Sequence, residues 1–334
     1  ERGRPEKDAV VALVPAYHGN TILALAASGR EHYKAYFRPW LPEIARVPAP
    51  YAYRCPCGGR PPHCPACDGS ALEETIVRLG AGRAAAFIAE PVGGSSTGAS
   101  VAPAGYWRRV REICDRHEVL WIADEILCGA GRTGSWSALE PEGVVPDLMT
   151  LGKGIAGGFA PLAAVLAPRR IVDVLAAGSG ALLHAQTFSH HAVSCAAGVA
   201  TIRYLRAHRL IERCAATGAR FHDRLRALLA YPHVGDVRGR GLLAGVEFAD
   251  AGTRAPFPRA AKFAERFTEA ALAAGLVVWP NVGHANGHDG DLVMLAPPFT
   301  ISDGEIDELV ARFGRALDAV ATARAAPRAS AMAT

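Results

Sequence analysis

Residues 119–159 read VLWIADEILCGAGRTGSWSALEPEGVVPDLMTLGKGIAGGF, and two features of this stretch decide the fold. Val119 to Ala123 is a short apolar run ending in acid, the pattern of a buried parallel strand with a site at its carboxyl edge. Asp124 and Glu125 stand at that edge as a carboxylate pair. Asp147 to Leu151 makes a second short run, followed by Gly152, Lys153, Gly154, Gly157 and Gly158, which let the backbone turn tightly and approach a ligand closely. The chain holds only four lysines, Lys7, Lys34, Lys153 and Lys262, so one set between two glycines invites a chemical reason. A primary amine loses its proton when desolvated and can form a Schiff base, whereas a guanidinium stays charged. A carboxylate on a neighbouring strand end is the complementary group: held against a pyridine nitrogen, it keeps that nitrogen protonated and the ring able to accept electrons. Asp124 and Lys153 suit these two roles in a pyridoxal phosphate site. A helix-capping aspartate and a solvated lysine in a glycine-rich loop would read the same way, and these two residues alone leave both readings open.

ADEILCGAGRTG (123–134) and PDLMTLGKGIAGGFAPLAAVLA (146–167) resemble the cofactor-binding core of the class III, pyridoxal-phosphate-dependent aminotransferases, in wording and in the separation of Asp from Lys. Four flanking segments agree and occur in family order: AYHGNT (16–21), AAFIAEPVGG (85–94), QTFSHHAVSCAAG (186–198) and VRGRGLLAGVEF (237–248). The resemblance implies an α/β, PLP-dependent transferase fold. A large cofactor-binding domain (1–208, N-terminally incomplete) with a mostly parallel sheet would precede a smaller α+β domain (209–325) and a disordered tail (326–334). It implies a homodimer with shared active sites that moves an amino group, by a ping-pong mechanism, from an amine, ω-amino acid or amino acid to a 2-oxo acid.

Residue by residue, the resemblance implies that Lys153 carries pyridoxal 5'-phosphate and Asp124 faces its ring nitrogen. Tyr17 would stack on one ring face and Ile126 pack under the other, with His18 beside Tyr17 and Glu90 toward the substrate. Thr187 would reach the cofactor phosphate of the partner subunit. Ordinary readings stand beside these: a strand-end aromatic, a structural histidine, a strand-end carboxylate and a helix N-cap. Leu127 departs from the family, where a glutamine often reaches the ring hydroxyl. The Gly-Ser-rich phosphate turn that family members carry upstream is not in these residues, so the chain reads as a fragment or a truncated form. A racemase, aminomutase or decarboxylase on the same scaffold, or a cofactor-deficient binding relative, are the alternatives, because a fold does not fix a reaction.

Bulk properties fit a globular enzyme. With 334 residues, half of them hydrophobic, the chain can bury a large core. A net charge of +4 without a basic run argues against nucleic acid and membrane surfaces as partners. No apolar run reaches membrane-spanning length and no signal peptide opens the sequence, which makes the cytoplasm the default expectation.

Eight cysteines in such a chain read as thiols and not as a disulfide framework. Four of them, Cys55, Cys57, Cys64 and Cys67, lie in a Pro- and Gly-rich stretch read as irregular over 38–70. Their C-x-C-x6-C-x2-C spacing leaves open a structural zinc site or a loop of free thiols, and no metal ligand is assigned.

Helices are expected from Pro103 through the YWRRVREICDRHE segment, over 168–176, from about 190 to 208, over 211–229 and over 260–274, with Asn20-Thr21 capping an earlier one. Further strands are expected over 163–166, 234–237, 242–248, 276–279 and 292–295, and Ser302 with Glu305 forms a capping box ahead of the last helix. Many family members that recognise α-amino acids carry an arginine shortly before the paired prolines of DLVMLAPPF (291–299). Met294 takes that place here, so a fixed α-carboxylate clamp is not expected, unless Met294 is simply a core residue.

Overall fold

The computed structural model describes residues 1–61, 63–80, 82–250 and 252–325. Continuous apolar runs such as AVVALV and AAAFIA suit strands covered on both faces, and they build the centre of the first sheet. Its strands are β1 (Ala9–Val14), β2 (Ala45–Pro48), β3 (Ala84–Ala89), β4 (Leu120–Asp124), β5 (Leu148–Leu151) and β6 (Ala164–Leu166). They lie in the order β2-β1-β3-β4-β5-β6, parallel from β2 to β5, with β6 antiparallel at the edge. Pairing of Ala89 with Ala123 and of Asp124 with Thr150 brings the carboxyl ends of β3, β4 and β5 together, where the site lies.

The helix Tyr106–Arg116 buries Tyr106, Trp107, Val110, Ile113 and Cys114 against this sheet, and the Trp107 ring stacks on Trp121 with centroids 5.5 Å apart. It begins three residues after Pro103, because Gly105 at φ 84° turns the chain into it. Most other expected bounds shift by a residue or two, as element ends do. The helix expected from 260, however, begins at Phe263 after the tighter turn Arg259–Ala261, the one expected to 229 tightens after Leu225, and the strand expected over 234–237 runs on to Arg240.

A second sheet follows: β7 (Val234–Arg240), β8 (Leu243–Phe248), β9 (Trp279–Val282) and β10 (Asp291–Leu295), antiparallel throughout in the order β7-β8-β10-β9. Phe221, Phe248, Phe263, Phe267 and Phe313 fill the core on its helical face. The strand expected over 276–279 starts only at Trp279: Leu276 and Val278 are buried but precede the pairing with β10. Stretch 38–70 is not wholly irregular either. β2 lies inside it, because the exposed edge of β1 offers a ladder that Ala45 to Pro48 can join despite the proline-rich surroundings.

The Ser302–Glu305 capping box forms as expected. The Glu305 carboxylate accepts the Ser302 N–H at 2.7 Å and the Ser302 hydroxyl accepts the Glu305 N–H at 3.3 Å. The expected tail over 326–334 lies outside the described residues.

The two sheets meet through an apolar cluster of Val92, Ala99, Cys128 and Ala138 with Leu243, Leu292 and Met294. Contact is tight enough to require glycine: a Cβ on Gly245 of β8 would come within 2.1 Å of the Gly98 carbonyl oxygen. Among the described residues no helix is long and apolar enough to cross a membrane.

Candidate active site

Asp124 closes β4, almost wholly buried, and three groups converge on its carboxylate. Oδ2 meets His18 Nδ1 at 2.8 Å, while Oδ1 accepts the Ile126 N–H at 3.1 Å and the Thr150 hydroxyl at 3.4 Å. His18 is held in turn: its N–H donates to Ser28 Oγ at 2.8 Å, and that hydroxyl donates to the Ala24 carbonyl at 2.8 Å. With the Nδ1 proton facing the carboxylate, the buried Nε2 is left without a hydrogen-bond partner among the described residues. His18 and Asp124 thus form a unit across 106 residues of sequence.

Glu90, one residue past β3, accepts the Tyr17 N–H at 2.9 Å and the Gly94 N–H at 2.5 Å. Burial pushes its carboxyl up to about 6; the positive side of His18 and the two N–H donors pull it down, and the Asp124 charge adds to the rise. Glu90 therefore sets the backbone on which Tyr17 stands. The Tyr17 ring is itself placed by the edge of Tyr33, 5.9 Å away, and by the Arg30 guanidinium at 5.5 Å, which is anchored on Ser96.

Glu125 does not share the site as a carboxylate pair would. Its side chain turns away to accept the Ser137 hydroxyl at 2.6 Å and the Ala138 N–H at 2.9 Å, and burial raises its carboxyl above the usual range. Alternation along an extended segment explains the divergence: neighbours point to opposite sides.

Lys153 lies three residues beyond Thr150, the strand partner of Asp124, and is exposed. Its φ of 46° is left-handed, a conformation that costs a lysine on the order of 1 kcal/mol and that clusters at functional sites. Gly152 before it is required by space: a Cβ there would meet Ile126 Cδ1 at 2.8 Å. Ile126 is thus wedged between the Asp124 carboxylate and the turn that carries Lys153.

Thr187 lies in an exposed segment with Leu183 at 86% and Phe188 at 79% exposure, and it is not a helix cap. The helix Ala192–Ala207 is capped by His191, whose ring accepts the Ser194 N–H. Met294 is a core residue of the apolar cluster between the sheets, 6% exposed.

Ser28 and Thr150 do not stand out in the sequence. Thr150 is the one polar residue of β5, two places ahead of Gly152, which is a signal the sequence offers; Ser28 has none, because only the folded turn brings it under His18.

A buried, hydrogen-bonded carboxylate, an aromatic just past β1, and a strained lysine on the turn after the adjacent strand form the set that the nitrogen, the face and the aldehyde of a pyridine ring would use. The residues present fit that group.

Comparison with known proteins agrees. The class-III aminotransferase family pattern matches residues 1–317, and the chain belongs to this family of pyridoxal-phosphate-dependent transaminases. It is 35% identical over 322 residues to the uncharacterized aminotransferase YodT of Bacillus subtilis, covering 96% of this chain and 72% of that protein. It is 33% identical to the putrescine–pyruvate aminotransferase of Pseudomonas aeruginosa, over 96% of this chain and 69% of that one. Among solved structures it resembles a thermostable (S)-enantioselective omega-transaminase from Thermomicrobium roseum, with TM-score 0.84, 35% identity and coverage of 95% and 69%. It also resembles an amine transaminase from an uncultivated Pseudomonas species in its PLP-bound, internal aldimine form, with TM-score 0.85, 34% identity and coverage of 95% and 71%.

Proposed function

We propose that this transaminase takes an amino group from a terminal amine, an ω-amino acid or an amino acid and passes it to a 2-oxo acid in a ping-pong sequence, with Lys153 and Asp124 as its catalytic residues. Residues 1–208 would be the cofactor-binding domain and 209–325 the smaller one. The observation that carries the reading is the convergence at the carboxyl ends of β4 and β5, where Asp124 is fixed from three sides and the strained Lys153 stands one turn away.

Pyridoxal phosphate, when bound, supplies an electron sink that lets a donor C–H bond ionise. Asp124 would hold a positive charge at the ring nitrogen, and it is built for that: both of its oxygens have fixed donors, so it cannot swing away. His18 orients the carboxylate through its Nδ1 contact. The Lys153 amine would be the point of covalent attachment. Once released by the incoming donor amine, it is the base that carries the proton at the donor carbon. Tyr17 and Ile126 would flank the ring, and Glu90 positions Tyr17 through its backbone. Thr187, exposed among exposed apolar side chains, suits a contact made across a homodimer in which each copy completes the other's site.

Donor choice is supported by the relatives, which include an enzyme named for putrescine and pyruvate. Met294, packed in the apolar cluster between the sheets, is a core residue and does not bear on the donor. The test is a donor profile of the full chain with pyruvate and with 2-oxoglutarate as acceptors. Terminal amines and ω-amino acids should outpace glutamate and other common α-amino acids; the reverse order overturns the donor assignment.

A further inference from the structure

The four cysteines between β2 and the helix Ser70–Leu79 are separated by up to twelve residues, yet their sulfurs all lie within 4.8 Å of one another. Cys55 Sγ is the hub, 3.4 Å from Cys57, 3.0 Å from Cys64 and 2.9 Å from Cys67. A disulfide from Cys55 to one of the three would leave the remaining two to pair with each other, but the Cys55 sulfur stands against all three at once, which one shared ion explains and two separate disulfides do not. A metal ion takes all four. The tetrahedron around a zinc ion with Zn–S bonds of about 2.3 Å has edges of about 3.8 Å, so the sulfurs need to spread by less than about 1 Å to receive it. A polynuclear cluster fits inside its ligands and would need them farther apart.

The local backbone is shaped for such a knuckle. Cys64 stands ahead of the short helix Pro65–Asp68, and the Cys67 N–H donates to its carbonyl at 2.7 Å, turning Cys67 back toward the cluster. Gly58 and Gly59, at φ 59° and 70°, take the left-handed conformations that reverse the chain after Cys57.

We propose that Cys55, Cys57, Cys64 and Cys67 bind one zinc ion in a closed, structural tetrathiolate site. Four protein ligands leave no position for water or substrate, so the ion holds structure and takes no part in amino transfer.

What it holds is the segment just ahead of Cys55. Tyr51 and Arg54 both reach Glu247 near the end of β8, Arg54 Nε at 2.6 Å, and Arg54 also donates to the Arg254 carbonyl at 2.6 Å. Glu247 is fully buried and takes Arg238 at 2.8 Å and His284 at 3.0 Å as well. The zinc knuckle therefore locks the strap 51–54 that fastens the first half of the chain onto the second sheet.

The experiment is elemental analysis of the full chain, expressed with zinc in the medium and purified without chelator, together with a count of thiols that react under native conditions. The expected result is about one zinc per chain and four thiols that stay unreactive until the metal is removed. Growth on cobalt should give the intense thiolate-to-cobalt and tetrahedral absorption bands of a four-sulfur site. Cys64→Ser and Cys67→Ser should each lower zinc content at least about tenfold. If those variants fail to fold, the cobalt spectrum of the unaltered chain still decides. Less than about 0.1 metal ion per chain, disulfides in the intact mass, iron in place of zinc, or a cobalt form without thiolate bands would each overturn the proposal.

Discussion

Asp124→Asn separates the charge of the site from its shape. Asparagine is isosteric, and its oxygen can still accept the Ile126 N–H at 3.1 Å and the Thr150 hydroxyl at 3.4 Å. The change falls on the 2.8 Å contact to His18 Nδ1, where an amide NH2 now faces a ring nitrogen. A charge-assisted hydrogen bond contributes about 1.5–3 kcal/mol and a neutral one about 0.5–1.5, so the exchange costs roughly 1 kcal/mol if His18 moves its proton to Nε2. That proton would enter a buried position with no partner among the described residues, which raises the expected cost to roughly 2 kcal/mol. The effect on rate is larger. Removing one preorganised electrostatic interaction from a transition state commonly costs about 10²–10³ in kcat, and here the substitution removes a full negative charge. The assay is single-turnover amino transfer from a saturating donor, read beside the urea midpoint and the amount of cofactor retained. A rate within about threefold of the unaltered enzyme, with cofactor still bound, would refute the role given to Asp124.

Two further outcomes follow from the same structure. Glu90 has its carboxyl raised to about 6 from an ordinary 4.5, so its contribution to stability is fully present below about pH 4.5 and is lost as pH rises through 6, by about 2 kcal/mol in all; the pH profile of Glu90→Gln should lack that fall, and an unchanged difference between the two proteins from pH 4.5 to 7 would count against it. Glu247 is held well below the usual carboxylate range by Arg238, His284 and Arg54, against a burial penalty that acts the other way. Replacing it with Gln leaves buried Arg238 with Asp236 as its carboxylate partner, beside the neutral Thr97 carbonyl and Tyr51 hydroxyl, and should cost about 3–5 kcal/mol in denaturant unfolding, whereas a loss under about 1 kcal/mol would mean that the network is not fastening the second sheet.

Asp124 and Lys153 could be named from sequence because each belongs to a short motif whose local pattern already implies its place: an apolar strand ending in acid, and a lysine set in glycines. Buried parallel strands around them were expected from continuous apolar runs, and the family resemblance supplied the rest of the fold class; the order of the strands in the sheet was not legible. What escaped depends on contacts made at long range. Glu125 reads as the partner of Asp124 until the turn at Ser137 and Ala138 claims its carboxylate. The same holds for Ser28 beneath His18, and for Glu247, which gathers Tyr51, Arg54, Arg238 and His284 from three separate stretches. Edge strand β2 escaped because its pairing comes from β1 and not from its own composition. Thr187 reads as an N-cap because Thr suits that position, but His191, four residues later, takes it.

The central claim is that Lys153 carries the cofactor. Its competitors are placed differently: Lys7 spends its amine on the carbonyls of Ala84 and Glu118, and Lys34 is buried against Glu31. Borohydride reduction of the cofactor-loaded full chain, followed by proteolysis and mass mapping, identifies the lysine directly. The pyridoxyl adduct should fall on the peptide containing Lys153 and vanish in Lys153→Ala while the fold is retained. An adduct on Lys7, Lys34 or Lys262, or one that persists in Lys153→Ala, would contradict the account.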